Sequence, residues 1–170
     1  MAILTRLKSN KKISDNDKIA RFLKEFGIFY KTWSPAVEFK SSDPHDKILS
    51  AFEHEIKPIM KEKGFQTADI ISINEKTPNI EEVRKKFLSE HTHSEDEVRF
   101  FVDGEGVFFF NMEEEVVSIH CVKGDFLSVP KGFKHWFDLA PAYQVVAIRL
   151  FTGKKGWVAN YTGSKIEENY

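Results

Sequence analysis

Hydrophobic positions along the chain change their period once, near residue 90. Before that point they recur mainly at helical spacing. Ser14-Asp15-Asn16-Asp17 offers several N-cap candidates and early negative charge. Ile19, Phe22, Leu23 and Phe26 follow on one stripe, and Gly27 stands where a left-handed C-terminal residue belongs. A second stripe begins near Asp46 with Ile48, Leu49, Phe52, Ile56, Ile59 and Met60, and Gly64 closes it. Pro58 is expected to break or kink that helix. Ile28 to Trp33 and Ala68 to Ile73 read as short strands. Thr77-Pro78-Asn79-Ile80-Glu81-Glu82 opens a short helix with Val83 and Phe87 on its buried side.

From about His91 the texture is β-rich. Runs at Val98 to Val102, Gly106 to Asn111, Glu115 to Val122, Asp125 to Val129 and Tyr143 to Phe151 are separated by Asp103-Gly104, Lys123-Gly124 and Pro130-Lys131-Gly132. That cadence predicts an antiparallel barrel or sandwich. With 170 residues, 41% of them hydrophobic and 14% aromatic, one core and one domain are expected. Its parts are a helix-rich N-terminal layer with strands over 1–88, a β-barrel core over 89–152 and a C-terminal extension over 153–170.

Charge and cysteine usage narrow the partners. A formal net charge of −1, with both signs interspersed, gives no electrostatic case for nucleic acid or an anionic membrane. Met1 to Lys8 holds no apolar run long enough for a signal sequence, and no segment is expected to span a bilayer. The single cysteine, Cys121, excludes an intrachain disulfide and suits a reducing cytosol, so a cytoplasmic location is expected. Cys121 itself reads as a small core residue.

The candidate chemistry lies at the change of period. Glu90-His91-Thr92-His93-Ser94-Glu95-Asp96-Glu97 is answered later by Gly132-Phe133-Lys134-His135. Residues two apart on a strand face the same side, so His91, His93, Glu97, Arg99 and Phe101 share a face if the segment is extended. Glu95 shares that parity too, and only a bulge or turn would remove it. Three imidazoles and a carboxylate suffice for a divalent transition metal. Nitrogen and oxygen donors without thiolate favour Fe(II), Ni(II), Co(II) or Mn(II), with zinc a competitor. His45, His54 and His120 read as surface or hydrogen-bonded histidines.

His91-x-His93-x3-Glu97-x6-Gly104 resembles the first cupin motif, and Gly124-x5-Pro130-x-Gly132-x2-His135 resembles the second. Lys85 stands where the first motif usually opens with glycine, and Leu139 where the second usually closes with asparagine. Phe87 to Gly104, Gly124 to Phe137, and Arg149-Leu150-Phe151 with Gly156-Trp157 behind it are similar to the acireductone dioxygenase family. The resemblance implies a mainly β fold, the cupin double-stranded β-helix or jelly-roll barrel, with N-terminal α-helices. It implies one Fe(II) or Ni(II) per chain on His91, His93, Glu97 and His135, and a monomer.

It further implies oxidation of an acireductone, 1,2-dihydroxy-3-keto-5-methylthiopentene, with O2 in methionine salvage. The iron form would give 4-methylthio-2-oxobutanoate and formate, the nickel form 3-methylthiopropanoate, formate and carbon monoxide. Arg99, on the ligand face, is expected to stabilise the enediolate; a buried arginine serving a structural carboxylate is its alternative. By resemblance Glu90 assists metal loading and Asp96 transmits changes at the metal, against a solvated acidic surface. Phe87, Phe137, Arg149 and Trp157 are candidates for the substrate pocket, with core packing as the alternative for each aromatic. Two other functions stay open: another metal-dependent cupin enzyme, such as an isomerase or a different dioxygenase, and a non-catalytic ligand-binding cupin.

Overall fold

The computed structural model describes residues 1–153 and 157–170. In chain order the elements are β1 (Ile3–Arg6), β2 (Lys11–Ile13), α1 (Asn16–Lys24), β3 (Phe29–Thr32), α2 (His45–Ala51), α3 (Glu53–Lys63), β4 (Thr67–Ile73) and α4 (Ile80–Leu88). They continue as β5 (His91–Thr92), β6 (Glu97–Asn111), β7 (Val116–Val122), β8 (Asp125–Val129), β9 (His135–Asp138), β10 (Val145–Phe151) and β11 (Asn160–Tyr161), before a final 3₁₀ turn at Ile166–Asn169.

The strands form two antiparallel layers that share β6. One runs β11-β5-β9-β6-β7-β1-β2. In the other, β6 lies between β10 and β8, with β4 outside β10 and β3 outside β8. The space between the layers is filled from both by Leu4, Phe101, Phe108, Phe110, Ile119, Leu127, Phe137 and Ala147. A second apolar cluster lies outside, where α2 and α3 cover the opposite face of β6 and β10 through Phe52, Ile56, Ile59, Val98, Phe100, Ile148 and Leu150. Arg99 and Phe101 therefore point into the barrel while Val98, Phe100 and Val102 face the helices, as strand alternation requires. This is the mainly β cupin barrel with N-terminal helices that the sequence predicts. No helix among the described residues is long and apolar enough to cross a membrane.

Two local expectations need correction, and one strand is an addition to them. Pro58 does not end the second helical stripe. The break falls at Phe52 (φ −113°, ψ 10°), and Pro58 lies within α3. Pro58 is exposed, so the carbonyl its ring leaves unpaired faces solvent, whereas Phe52 is anchored against Phe39 and Phe100. Asp103-Gly104 is not a turn between two strands. It is a bulge inside the continuous β6, where Ala147 pairs with Phe101 but Val146 pairs with Asp103. The extra residue reverses the alternation, so odd-numbered Arg99 and Phe101 and even-numbered Phe108 and Phe110 all reach the same interior. Finally, Ile3–Arg6 is a strand paired with β7, which the N-terminal sequence does not announce.

Gly104 is fixed by this geometry. Its φ is +74°, and a Cβ there would sit 2.1 Å from the Gln144 carbonyl oxygen. Gly106 is required for a different reason, because a Cβ would stand 2.2 Å from the Phe137 ring.

Candidate metal centre

Four buried side chains converge inside the barrel. One donor atom from each of His91, His93, Glu97 and His135 can be chosen so that all lie within 4.8 Å of one another. β5 and the residue after it bring His91 and His93, β6 opens with Glu97, and β9 opens with His135. Direct pairing of His91 with His135 joins the two sequence segments. The chain bends at Ser94-Glu95 instead of running extended, which removes Glu95 from the ligand set. Gly132 N–H donates to the His93 carbonyl at 2.9 Å and ties the second loop to the first.

The imidazoles are held in one tautomer. Each Nδ1 donates to a backbone carbonyl: His91 to Ser89 at 2.7 Å, His135 to Phe133 at 2.8 Å and His93 to Val158 at 2.8 Å. That leaves every Nε2 available as a ligand. Glu97 Oε2 lies 3.0 Å from His93 Nε2 and 2.9 Å from His135 Nε2. Lone pairs on nitrogen and on a carboxylate repel at that distance unless a proton or a cation lies between them. The donor set thus fits a divalent ion, and three nitrogens with one oxygen leave positions open on a six-coordinate metal.

Electrostatics favour the same arrangement. Burial alone would raise the Glu97 carboxyl, but the Arg99 charge, with the contacts to His135 and His93, holds it well below the ordinary range. Burial, aided by the facing His135, lowers His91 to about 4. Burial also works against a charged His93, yet its contact with Glu97 outweighs this and raises it.

Arg99 is buried, with Nη2 3.0 Å from Glu97 Oε1. Its guanidinium carbon stands 4.8 Å from the Phe137 ring centroid, 5.3 Å from Phe108, 5.8 Å from Trp157 and 5.9 Å from Phe87. Arg99 Nε has no hydrogen-bond partner among the described residues. An arginine stacked among aromatic faces beside the ligand cluster, with a free N–H, has the charge and the donor that binding an anion requires. Phe108 is missing from the residues singled out in the sequence. Its signal is hidden by the bulge at Asp103-Gly104, which reverses its apparent face.

The remaining candidates lie farther out. Arg149 pairs across the strands with Arg99, but its guanidinium forms a two-pronged bond to Asp69 at 2.9 and 2.7 Å. Asp96 accepts the Lys131 N–H at 2.9 Å and so steadies the loop leading to His135. Glu90 is buried, and its oxygens accept from Asn111, Thr162 and Ser164, with none on a ligand histidine. Trp157 packs 4.6 Å from Phe151 and 6.1 Å from His93. Gly156 lies outside the described residues.

Comparison with known proteins bears on this arrangement. The model of the ARD/ARD' family matches residues 5–159. An acireductone dioxygenase of Picosynechococcus is 42% identical over 171 residues, covering 100% of this chain and 97% of its own. One from Hahella chejuensis is 46% identical, with 89% of this chain and 82% of its own covered. Among solved structures, an acireductone dioxygenase from Bacillus anthracis with a cadmium ion in its active centre superposes with a TM-score of 0.86. It is 34% identical over 95% of this chain and 98% of its own.

Proposed function

Since the chain belongs to the ARD/ARD' family and is an acireductone dioxygenase, we propose that it cleaves 1,2-dihydroxy-3-keto-5-methylthiopentene with O2 on one Fe(II) or Ni(II) held by His91, His93, Glu97 and His135. The observation that carries this reading is Arg99. A permanent cation with an unpartnered N–H, buried beside the ligand cluster, suits an enediol that must be held as an anion.

When bound, the ion supplies a Lewis-acidic template with open positions for a chelating substrate. Glu97, kept ionised by Arg99, remains a ligand across the working pH range. Arg99 lowers the cost of forming the substrate anion and fixes its orientation. Phe87, Phe108, Phe137 and Trp157 surround that charge, exclude water from it, and give the methylthio tail an apolar wall. The four ligands, Arg99 and the aromatic wall come from a single chain, which suits a monomer. Asp96 and Glu90 act outside the ligand set, the first on the loop before His135 and the second on the C-terminal segment.

The iron form is expected to yield 4-methylthio-2-oxobutanoate and formate. The nickel form is expected to yield 3-methylthiopropanoate, formate and carbon monoxide. The test is to strip the protein, reload separate samples with Fe(II) and Ni(II), and quantify these products under O2. Carbon monoxide from the nickel sample alone supports the reading. Turnover no faster than spontaneous oxidation with either metal removes it.

A further inference from the structure

Of the three ligand histidines, two are oriented locally and one is not. His91 and His135 donate to carbonyls two residues earlier in their own segments, Ser89 and Phe133. His93 donates to the carbonyl of Val158, in a C-terminal strap over residues 157–164. A backbone hydrogen bond to the non-ligating nitrogen sets ring orientation and the basicity of the ligating one. His93 therefore borrows its orientation from a segment distant in sequence.

Beyond Trp157, which packs against Phe151 and over Arg99 at its start, the strap is lightly held. Its strand β11 pairs with β5 through Asn160 and Tyr161 only. Val158 and Tyr161 are largely exposed, so little apolar burial fixes them. Tyr161 Oη adds one bond to the Lys86 carbonyl at 3.0 Å. The strongest attachment is to Glu90. Its backbone carbonyl accepts the Thr162 N–H at 3.1 Å, and its buried carboxylate accepts the hydroxyls of Thr162 at 2.6 Å and Ser164 at 2.8 Å. Asn111 Nδ2 holds the other carboxylate oxygen at 2.8 Å and aims the group at the strap.

We propose that Thr162 and Ser164, latched onto Glu90, are positioning residues for the metal centre: they hold the strap so that Val158 orients His93. The inference rests on the metal-centre reading above and adds to it that a third chain segment sets metal affinity. Closing of the strap and capture of the ion are then coupled, because each favours the same His93 geometry. Trp157, at the start of the strap, lies over Arg99, so the same latch places part of the pocket wall.

The test uses the full chain with Thr162→Val and Ser164→Ala combined, neither residue touching a ligand. The Ni(II) dissociation constant is measured by competition with a fluorescent chelator. It is expected to rise about 10- to 100-fold, while amide exchange at Tyr161 and Thr162 quickens and the His93 Nδ1–H resonance of the metal-free protein weakens. Thr162→Ser keeps the hydroxyl and is expected to bind like the unaltered chain. In a His93→Ala background the double variant is expected to change affinity no further. Faster exchange with unchanged affinity overturns the inference, as does an affinity loss of the same size in the His93→Ala background. Unchanged exchange overturns the latch. Failure of the unaltered chain to bind nickel would instead overturn the metal centre, and the inference with it.

Discussion

Replacing Arg99 by methionine separates the two tasks of this residue. Methionine keeps most of the volume among Phe87, Phe108, Phe137 and Trp157 but removes the charge 3.0 Å from Glu97. At that distance the attraction is roughly 5 kcal/mol for an effective dielectric constant near 20. Stripping one partner from a buried pair costs about 3–5 kcal/mol, because the other charge stays buried without its counter-ion. In the metal-free protein Glu97 then keeps only its histidine contacts. At about 2–4 °C per kcal/mol for a chain of this size, the melting temperature is expected to fall by about 6–20 °C. With Ni(II) bound, the ion replaces Arg99 as the counter-charge, and the fall is expected to shrink by more than half. By linkage, metal affinity rises in the variant while turnover collapses. Calorimetric melts of both proteins, stripped and nickel-loaded, check this. Equal drops in the two states would refute the reasoning, as would an unchanged metal-free melt.

Two further outcomes follow from the same structure. Gly104→Ala forces an ordinary side chain into a left-handed conformation and against the Gln144 carbonyl, so urea unfolding is expected to show a loss of about 2–4 kcal/mol; a loss under about 0.5 kcal/mol would mean the bulge moves freely. Asp138 is raised by burial, but Arg84, bonded through both oxygens, and the Ala140 N–H outweigh this and hold it below its ordinary value. A depressed folded value gives stability that is full above the unfolded carboxylate range near pH 4 and is lost as pH falls through the folded one. Asp138→Asn is therefore expected to cost about 1 kcal/mol at neutral pH and to flatten the decline below about pH 4, and an unchanged acid limb in urea titrations would count against the pair.

What the sequence discloses is set by where each signal resides. Ligand identity resides in side chains, and spacing of two sets His91 beside His93 and Glu97 beside Arg99, so the centre is legible from residues alone. Alternation also predicts Glu95 there, and only the bend at Ser94-Glu95 removes it. The bulge in β6 is marked by Gly104, but Asp-Gly marks turns equally well, and read as a turn it hides the inward face of Phe108. A proline in an exposed turn of a helix looks the same in sequence as one in a buried turn, so Pro58 by itself does not locate the break. Asp69 opposite Arg149 and Val158 opposite His93 are pairings between distant segments, and a backbone carbonyl leaves no mark in a sequence at all.

The strand β6 has partners in β7, β8, β9 and β10. Its pairing with β7 is a hairpin between neighbours, which forms early, whereas β9, β10 and the strap arrive only as the rest of the chain is made. During synthesis the order of arrival is then also the order in which the centre is completed. Arg99 pairs with Leu127 once β8 is released, Glu97 meets His135 after β9, Arg99 gains its second neighbour when β10 docks, and His93 receives its carbonyl when residue 158 emerges. In small zinc modules the ion organises an otherwise unfolded chain; here His91, His93 and Glu97 lie within seven residues, but the fourth ligand joins them only when β9 pairs with β5, so the complete donor set is a product of the fold.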